Sequence, residues 1–252
     1  MPDKEMEFTE HLEELRWRLV RCLGYVALGM FLSWQFYDLL SHLIQGPIER
    51  AFVSAGLEAK LVFMDLLEPL LLKLQVCLVA GVVFMSPLLF IEVWGFIAPA
   101  LLPHEKRYAL IVFPAAVVLF GSGVALAYFV LPIAFAFLLK FIPPGVVYYQ
   151  HLTRYLYLFL RMLLAFGLVF QLPIVMSFLA LLEIVSFEFL RAQRRIAIFL
   201  CFVLAAVITP TYDPINMSIV GLPLVVLFEI SIWAVYFIER RRTAAKMQDQ
   251  PA

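Results

Sequence analysis

Apolar side chains fill six runs of this chain, and the charged residues gather in the stretches between them. The first run covers 19–40 and closes on the aromatic residues Trp34 and Tyr37. The second, about 69–97, is interrupted by Pro87, and the fourth, about 155–182, holds Pro173 near its middle. The third, about 108–139, carries Pro114, Gly121, Gly123 and Pro132, so kinks or tilt are expected there. All four are long enough to cross a membrane, because a hydrocarbon core roughly 30 Å thick takes about 20 helical residues. The fifth run, 196–209, makes only about 21 Å of helix before "PTYDP" turns the chain. The last, 215–238, contains Asn216, Pro223 and Glu229. The pattern predicts an all-α polytopic membrane protein, one domain over 1–252 with six transmembrane helices. Its last two helices are expected to be a short, shallow hairpin, which needs local thinning of the bilayer or shelter against neighbouring helices. With kinked long helices beside it, that hairpin implies a concave, groove-like bundle.

Composition agrees with the pattern. Of the 252 residues, 64% are hydrophobic and 15% charged, more apolar surface than a water-soluble domain of this size could cover. The 19 basic and 19 acidic residues balance, which argues against a nucleic-acid partner. Residues 1–14 hold six acids with Lys4 as the lone base, the reverse of a secretory signal. Cys22, Cys77 and Cys201 are isolated and form no CxxC pair, as expected of small apolar residues within spans.

The placement of charge orients the chain. With six spans, both termini and the loops 94–108 and 186–195 share one side, and that side holds 13 of the 19 bases. The remaining six are Arg50, Lys60, Lys73, Lys140, Arg154 and Arg161. Positively charged loops stay in the cytoplasm, so both termini are expected there. A five-span count would scatter the bases.

Several function classes lack their chemistry. His11, His42, His104 and His151 fall near span ends or in loops, and the chain has no HExxH, GxSxG, P-loop or metal-ligand spacing. An enzyme, a cofactor and a metal are therefore not expected. A secondary transporter of a small solute is the alternative, but the two halves differ in loop lengths, span lengths and proline positions, unlike paired repeats. A scaffold or receptor with recognition on its cytoplasmic face fits best.

That face opens on "TEHLEELRWRL", residues 9–19. As a helix, it aligns Phe8, Leu12, Leu15 and Leu19 in one apolar stripe and sends Glu10, Glu13 and Glu14 to the opposite side. Thr9 is placed to cap it, and Glu14–Arg18 forms an i,i+4 pair. An interfacial lead-in helix would look like this. So would a docking site for a cationic peptide, since arginine meets a carboxylate in two hydrogen bonds. The next cytoplasmic segment, "EVWGFIAPALLPHEKRY", adds Glu105.

"HLEELRWRL", "VWGFIAPALLPHEKR", "FGSGVALAYFVLPIAFAFLLKF" and "ITPTYD…LPLVVLFEI" resemble the signature segments of the TatC family, in order, from about residue 9 to residue 238. TatC is the six-span core of the twin-arginine protein translocase. The resemblance implies binding of twin-arginine signal peptides on folded cargo, recruitment of the single-span partners TatA and TatB, self-association within a larger complex in the inner membrane, and export driven by the proton-motive force. It places a signal-peptide patch on Glu14 and Glu105, with Arg16, Arg18 and Phe96 in the same motifs; Glu10 and Glu13 join from the helical wheel. Groove or partner contacts fall on Gln171, Asp213, Pro47 and Glu229. In the fourth span the family usually reads "F-E-x-P", whereas this chain reads "FQLP", so Gln171 supplies a neutral donor and acceptor in place of a carboxyl. An extra residue separates Pro210 from Asp213, and Met217 replaces a residue that is often polar. Lys73 and Arg161 are expected to snorkel, and Glu92, about a turn inside the boundary, to approach Arg18 or Arg21.

Overall fold

The computed structural model describes residues 8–56, 60–97, 109–143, 149–208 and 214–248. Among them, helix dominates: α1 Phe8–Gln35, α2 Tyr37–Ser54, α3 Glu68–Ile97, α4 Ala109–Leu139, α5 Leu152–Val169, α6 Leu172–Leu181, α7 Phe187–Ala192, α8 Arg194–Ile208 and α9 Pro214–Gln248. Two three-residue strands, β1 Lys60–Val62 and β2 Tyr149–His151, pair in parallel with Lys60 opposite Tyr149 and Val62 opposite His151. The chain forms two compact units. One contains α1 to α3, both strands and the first parts of α4 and α5; the other contains the rest of α4 and α5 with α6 to α9.

Four stretches are long and apolar enough to cross a membrane: Glu68–Ile97, Val112–Leu139, Leu152–Leu181 and Met217–Arg240. α1 and α2 together make a fifth, bent by 84° at Phe36. α8 is the short one, its 15 residues rising about 22 Å. The six expected runs therefore correspond to α1, α3, α4, α5 with α6, α8 and α9.

Three boundaries differ from expectation, each for a physical reason. The first run does not continue to residue 40. It stops at Gln35, and residues 37–54 form a separate helix that buries Leu40, Ile44, Pro47, Ile48, Ala51 and Phe52 on one face. The fourth run breaks after Val169, because Pro173 has no N–H to give and the chain tightens there through Gln171 N–H to Leu168 O at 3.0 Å. Shortness at the end of the chain is confined to α8. α9 runs 35 residues and passes the expected end at 238, since the arginines and alanines that follow are good helix formers. α4, by contrast, is one helix through Pro114 and Pro132.

In the first unit α1 and α3 run antiparallel. Arg18 reaches Glu92, Gly29 meets Gly81, and Lys73 lies at Trp34, so one register holds along the whole crossing. α1 turns His11, Glu14, Arg18, Tyr25 and Gly29 toward α3, while Leu12, Leu15 and Leu19 are exposed. In lipid this is the stable arrangement: apolar side chains face hydrocarbon, and polar ones find partners inside the protein. In the second unit α9 packs against α6, α7 and α8 through Val220, Leu224, Leu227, Phe228, Ser231, Ile232 and Val235. α6 ends on Glu183 with φ 59°; Glu183 N–H bonds to Ala180 O and Ile184 N–H to Leu179 O, closing the last turn as a left-handed cap does.

Candidate functional site

The charged segment of α1 and the last turns of α3 build one polar node. The Arg18 guanidinium is its centre. Arg18 Nε and Nη2 both donate to the same oxygen, Glu14 Oε1, at 2.9 and 2.5 Å. Arg18 Nη1 donates to Glu92 Oε2 at 3.1 Å. The other oxygen of Glu92 accepts from Arg21 Nη1 at 3.1 Å and from Tyr25 O–H at 3.4 Å. Glu92 is only 4% exposed, so its charge is tolerable only because these donors surround it. Gly95 lets the node form: a Cβ there would fall on the Arg18 guanidinium.

Glu14 is left asymmetric. Its Oε1 is filled by Arg18, whereas Oε2 is buried with no hydrogen-bond donor among the described residues. His11 Nδ1 lies 3.8 Å from Oε2, beyond hydrogen-bond reach. The His11 ring lies flat on Phe96, with centroids 4.3 Å apart and planes 12° from parallel. A carboxylate oxygen without a donor beside a stacked aromatic pair suits a guanidinium, which hydrogen-bonds in its plane and stacks on its faces.

The structure thus brings Glu14, Arg18 and Phe96 together and adds Glu92, which reaches both arginines expected of it. Glu10, Glu13 and Arg16 are exposed around the node. Glu105 and Asp213 lie outside the described residues. The contribution of His11 was missed, although a helical wheel puts positions 11, 14 and 18 on one face.

The remaining candidates sit elsewhere. Gln171 is buried at the N-cap of α6, and Pro47 is buried within α2. Glu229 Oε1 accepts from Arg194 Nε at 2.5 Å, so α9 is tied to the start of α8 by an ion pair. Lys73 Nζ stands 4.3 Å from the Trp34 ring and 4.7 Å from Tyr37, held by aromatic faces at the α1–α2 bend. Glu68 at the start of α3 receives Met64 N–H at 3.0 Å, Thr153 O–H at 3.1 Å and His151 Nε2 at 3.0 Å. Among the described residues no group of three or more His, Cys, Asp or Glu could hold a metal ion.

The family profile for the Sec-independent protein translocase protein (TatC) matches residues 10–223. The chain belongs to the TatC family. A TatC from Koribacter versatilis is 36% identical over 253 residues, covering 99% of this chain and 92% of that protein. One from Carboxydothermus hydrogenoformans is 35% identical over 95% of this chain and 96% of its own length. The crystal structure of a twin-arginine translocase receptor, TatC, superposes with a TM-score of 0.78 at 31% identity, covering 91% of this chain and all of that one. This TatC chain is accordingly a multipass membrane protein and a component of a Sec-independent protein translocase, a family that is not catalytic.

Proposed function

We propose that this chain is the receptor and core subunit of the translocase, and that the Glu14 node binds the twin-arginine signal peptides of folded cargo. The observation that carries this reading is the Glu14 carboxylate, 21% exposed and with no hydrogen-bond donor to its Oε2 among the described residues, beside the His11–Phe96 stack. One ligand guanidinium pairs with the Glu14 carboxylate while Phe96 and His11 line its flank. Glu105, on the adjoining loop, takes the second arginine, and Glu10 and Glu13 draw the basic peptide in. The node then faces the cytoplasm of an inner membrane with both termini on that side, the orientation that the 13 bases favour. TatA and TatB are the recruited partners, with Pro47, Gln171, Asp213 and Glu229 among the contacts to them, and export draws on the proton-motive force.

The test is binding of a twin-arginine signal peptide to the full chain in lipid nanodiscs, beside a twin-lysine peptide. Preference for the arginine peptide, lost in Glu14→Gln and in Glu105→Gln, is the expected result. Equal and weak binding of both peptides, untouched by either substitution, would sink the receptor site.

A further inference from the structure

α2 carries three stripes where a helix on a soluble protein carries two. Leu40, Ile44, Pro47, Ile48, Ala51 and Phe52 form the buried one. Asp38, His42, Gln45 and Glu49 recur at steps of four, three and four and form a polar one, with Asp38, His42 and Glu49 exposed. Phe36, Leu39 and Leu43 open a third stripe, which Arg50 continues. On the helical wheel the three lie roughly a third of a turn apart. The third is apolar yet uncovered, with Phe36 61%, Leu39 68% and Leu43 54% exposed.

Position decides what covers it. α1 runs beside α3, which is long and apolar enough to span a membrane by itself. From Glu14 to Trp34 is about 30 Å of helix, the thickness of a hydrocarbon core. Trp34 and Tyr37, both under the Lys73 ammonium, therefore stand at the boundary of that core, where aromatic rings and long cations collect. At this level the chain turns by 84°, so α2 leaves along the membrane plane instead of across it. The exposed apolar side of α1, Leu28, Phe31 and Leu32, runs directly on into Phe36, Leu39 and Leu43. The third stripe is thus a continuation of a surface that already faces lipid. It is only one or two side chains wide and bordered by Asp38, His42 and Glu49, much narrower than the about 800 Å² per partner of a stable protein interface.

We infer that α2 is an interfacial anchor whose partner is phospholipid. Phe36, Leu39 and Leu43 enter the boundary between headgroups and acyl chains in the leaflet away from the Glu14 node. Arg50 reaches lipid phosphate at the same level, and Asp38, His42 and Glu49 face water. Apolar burial holds the helix there. The exposed charges of α2 are two acids and one arginine, so anionic headgroups are not required. The buried stripe ties α2 to the first unit, where it packs against α1 and α3, and α2 thereby sets how deep α1 sits in the bilayer.

The test is photocrosslinking of the full chain in phosphatidylcholine nanodiscs, read as intact mass. p-Benzoylphenylalanine is placed in turn at positions 39, 43, 42 and 49, all exposed, so that no packed side chain is displaced. Illumination should attach a phospholipid at 39 and 43 and leave 42 and 49 at the background of the unsubstituted chain. Exchanging part of the phosphatidylcholine for phosphatidylglycerol should leave the yield unchanged. Chain-to-chain adducts from 39 and 43 would assign the stripe to a second copy and overturn the inference. Absence of any adduct there would overturn it too, by leaving the stripe in water. Equal lipid adducts from all four positions would make α2 a submerged half of a span, and adducts that need phosphatidylglycerol would replace apolar burial by charge; either result refutes the anchor as stated.

Discussion

Gly29 and Gly81 meet backbone to backbone where α1 crosses α3. A Cβ on Gly29 would lie 2.7 Å from the Gly81 carbonyl oxygen, and one on Gly81 would lie 2.6 Å from Met30 N. Neither contact can relax by turning a side chain, because the obstructing atoms are main chain. Gly29→Ala or Gly81→Ala is therefore expected to push the two helices apart, costing about 1–3 kcal/mol, as overpacking does. Thermal unfolding in detergent checks this. The polar node would loosen too, since it sits further along the same crossing, so binding at the proposed site should weaken in proportion to the loss of stability.

At the other end of the same crossing, Lys73 lies over Trp34 and Tyr37, which flank the 84° bend at Phe36. The ammonium joins the last turn of α1 to the first turn of α2 and so holds the bend. Lys73→Met keeps the length and removes the charge, with an expected loss of about 1 kcal/mol. Spin labels at the exposed positions Leu28 and Leu43 should then report a broader distance distribution between the two helices. An unchanged distribution would show that packing alone sets the angle.

Much of this architecture was legible in the sequence, and the losses are instructive. Apolar run length located the long helices, because a hydrocarbon core imposes a minimum on contiguous apolar residues whatever the packing. It could not see the bend at Phe36, since the apolar run carries past Gln35 to Leu40 and the break depends on a tertiary contact, Lys73. It located the charged segment of α1 but not which face would be used. The stripe of Leu12, Leu15 and Leu19 resembles a core face of a soluble helix, yet in lipid it is the outer surface. Glu92 could be suspected from its depth alone, because a carboxylate inside an apolar helix must find a cation. Glu229 gave the same signal, but its partner, Arg194, is 35 positions away on another helix, and no periodicity connects them.

Glu68 ties together three separate pieces of the first unit: Met64 before α3, His151 in β2 and Thr153 in the first turn of α5. His151 Nδ1 accepts from Arg154 N–H at 3.2 Å, so Nε2 carries the proton that is donated to Glu68. The three-residue parallel pairing of β1 with β2 has no third strand among the described residues and depends on this clasp. Glu68→Gln and His151→Phe should each speed amide exchange at Leu61 and Gln150 by about fivefold, the effect of losing one net hydrogen bond. If the two effects add in the double variant, the pair is not coupled and the clasp is not what holds the strands.

Gly95 allows a sharper experiment on the proposed reception site than any charge substitution, because it leaves every charge in place. A methyl group there would lie 2.8 Å from Arg18 Cζ and 2.9 Å from Nη2. The clash falls on the far end of a flexible side chain, so the helices need not move and stability should change little. Arg18 must move, however, and the bond from its Nη1 to Glu92 is the one nearest the new methyl. Gly95→Ala is expected to weaken binding of a twin-arginine peptide by about tenfold while thermal unfolding stays within about 0.5 kcal/mol of the unsubstituted chain. Loss of stability equal to the loss of binding would instead mean that Gly95 serves helix packing, and that the orientation of Arg18 has no separate role.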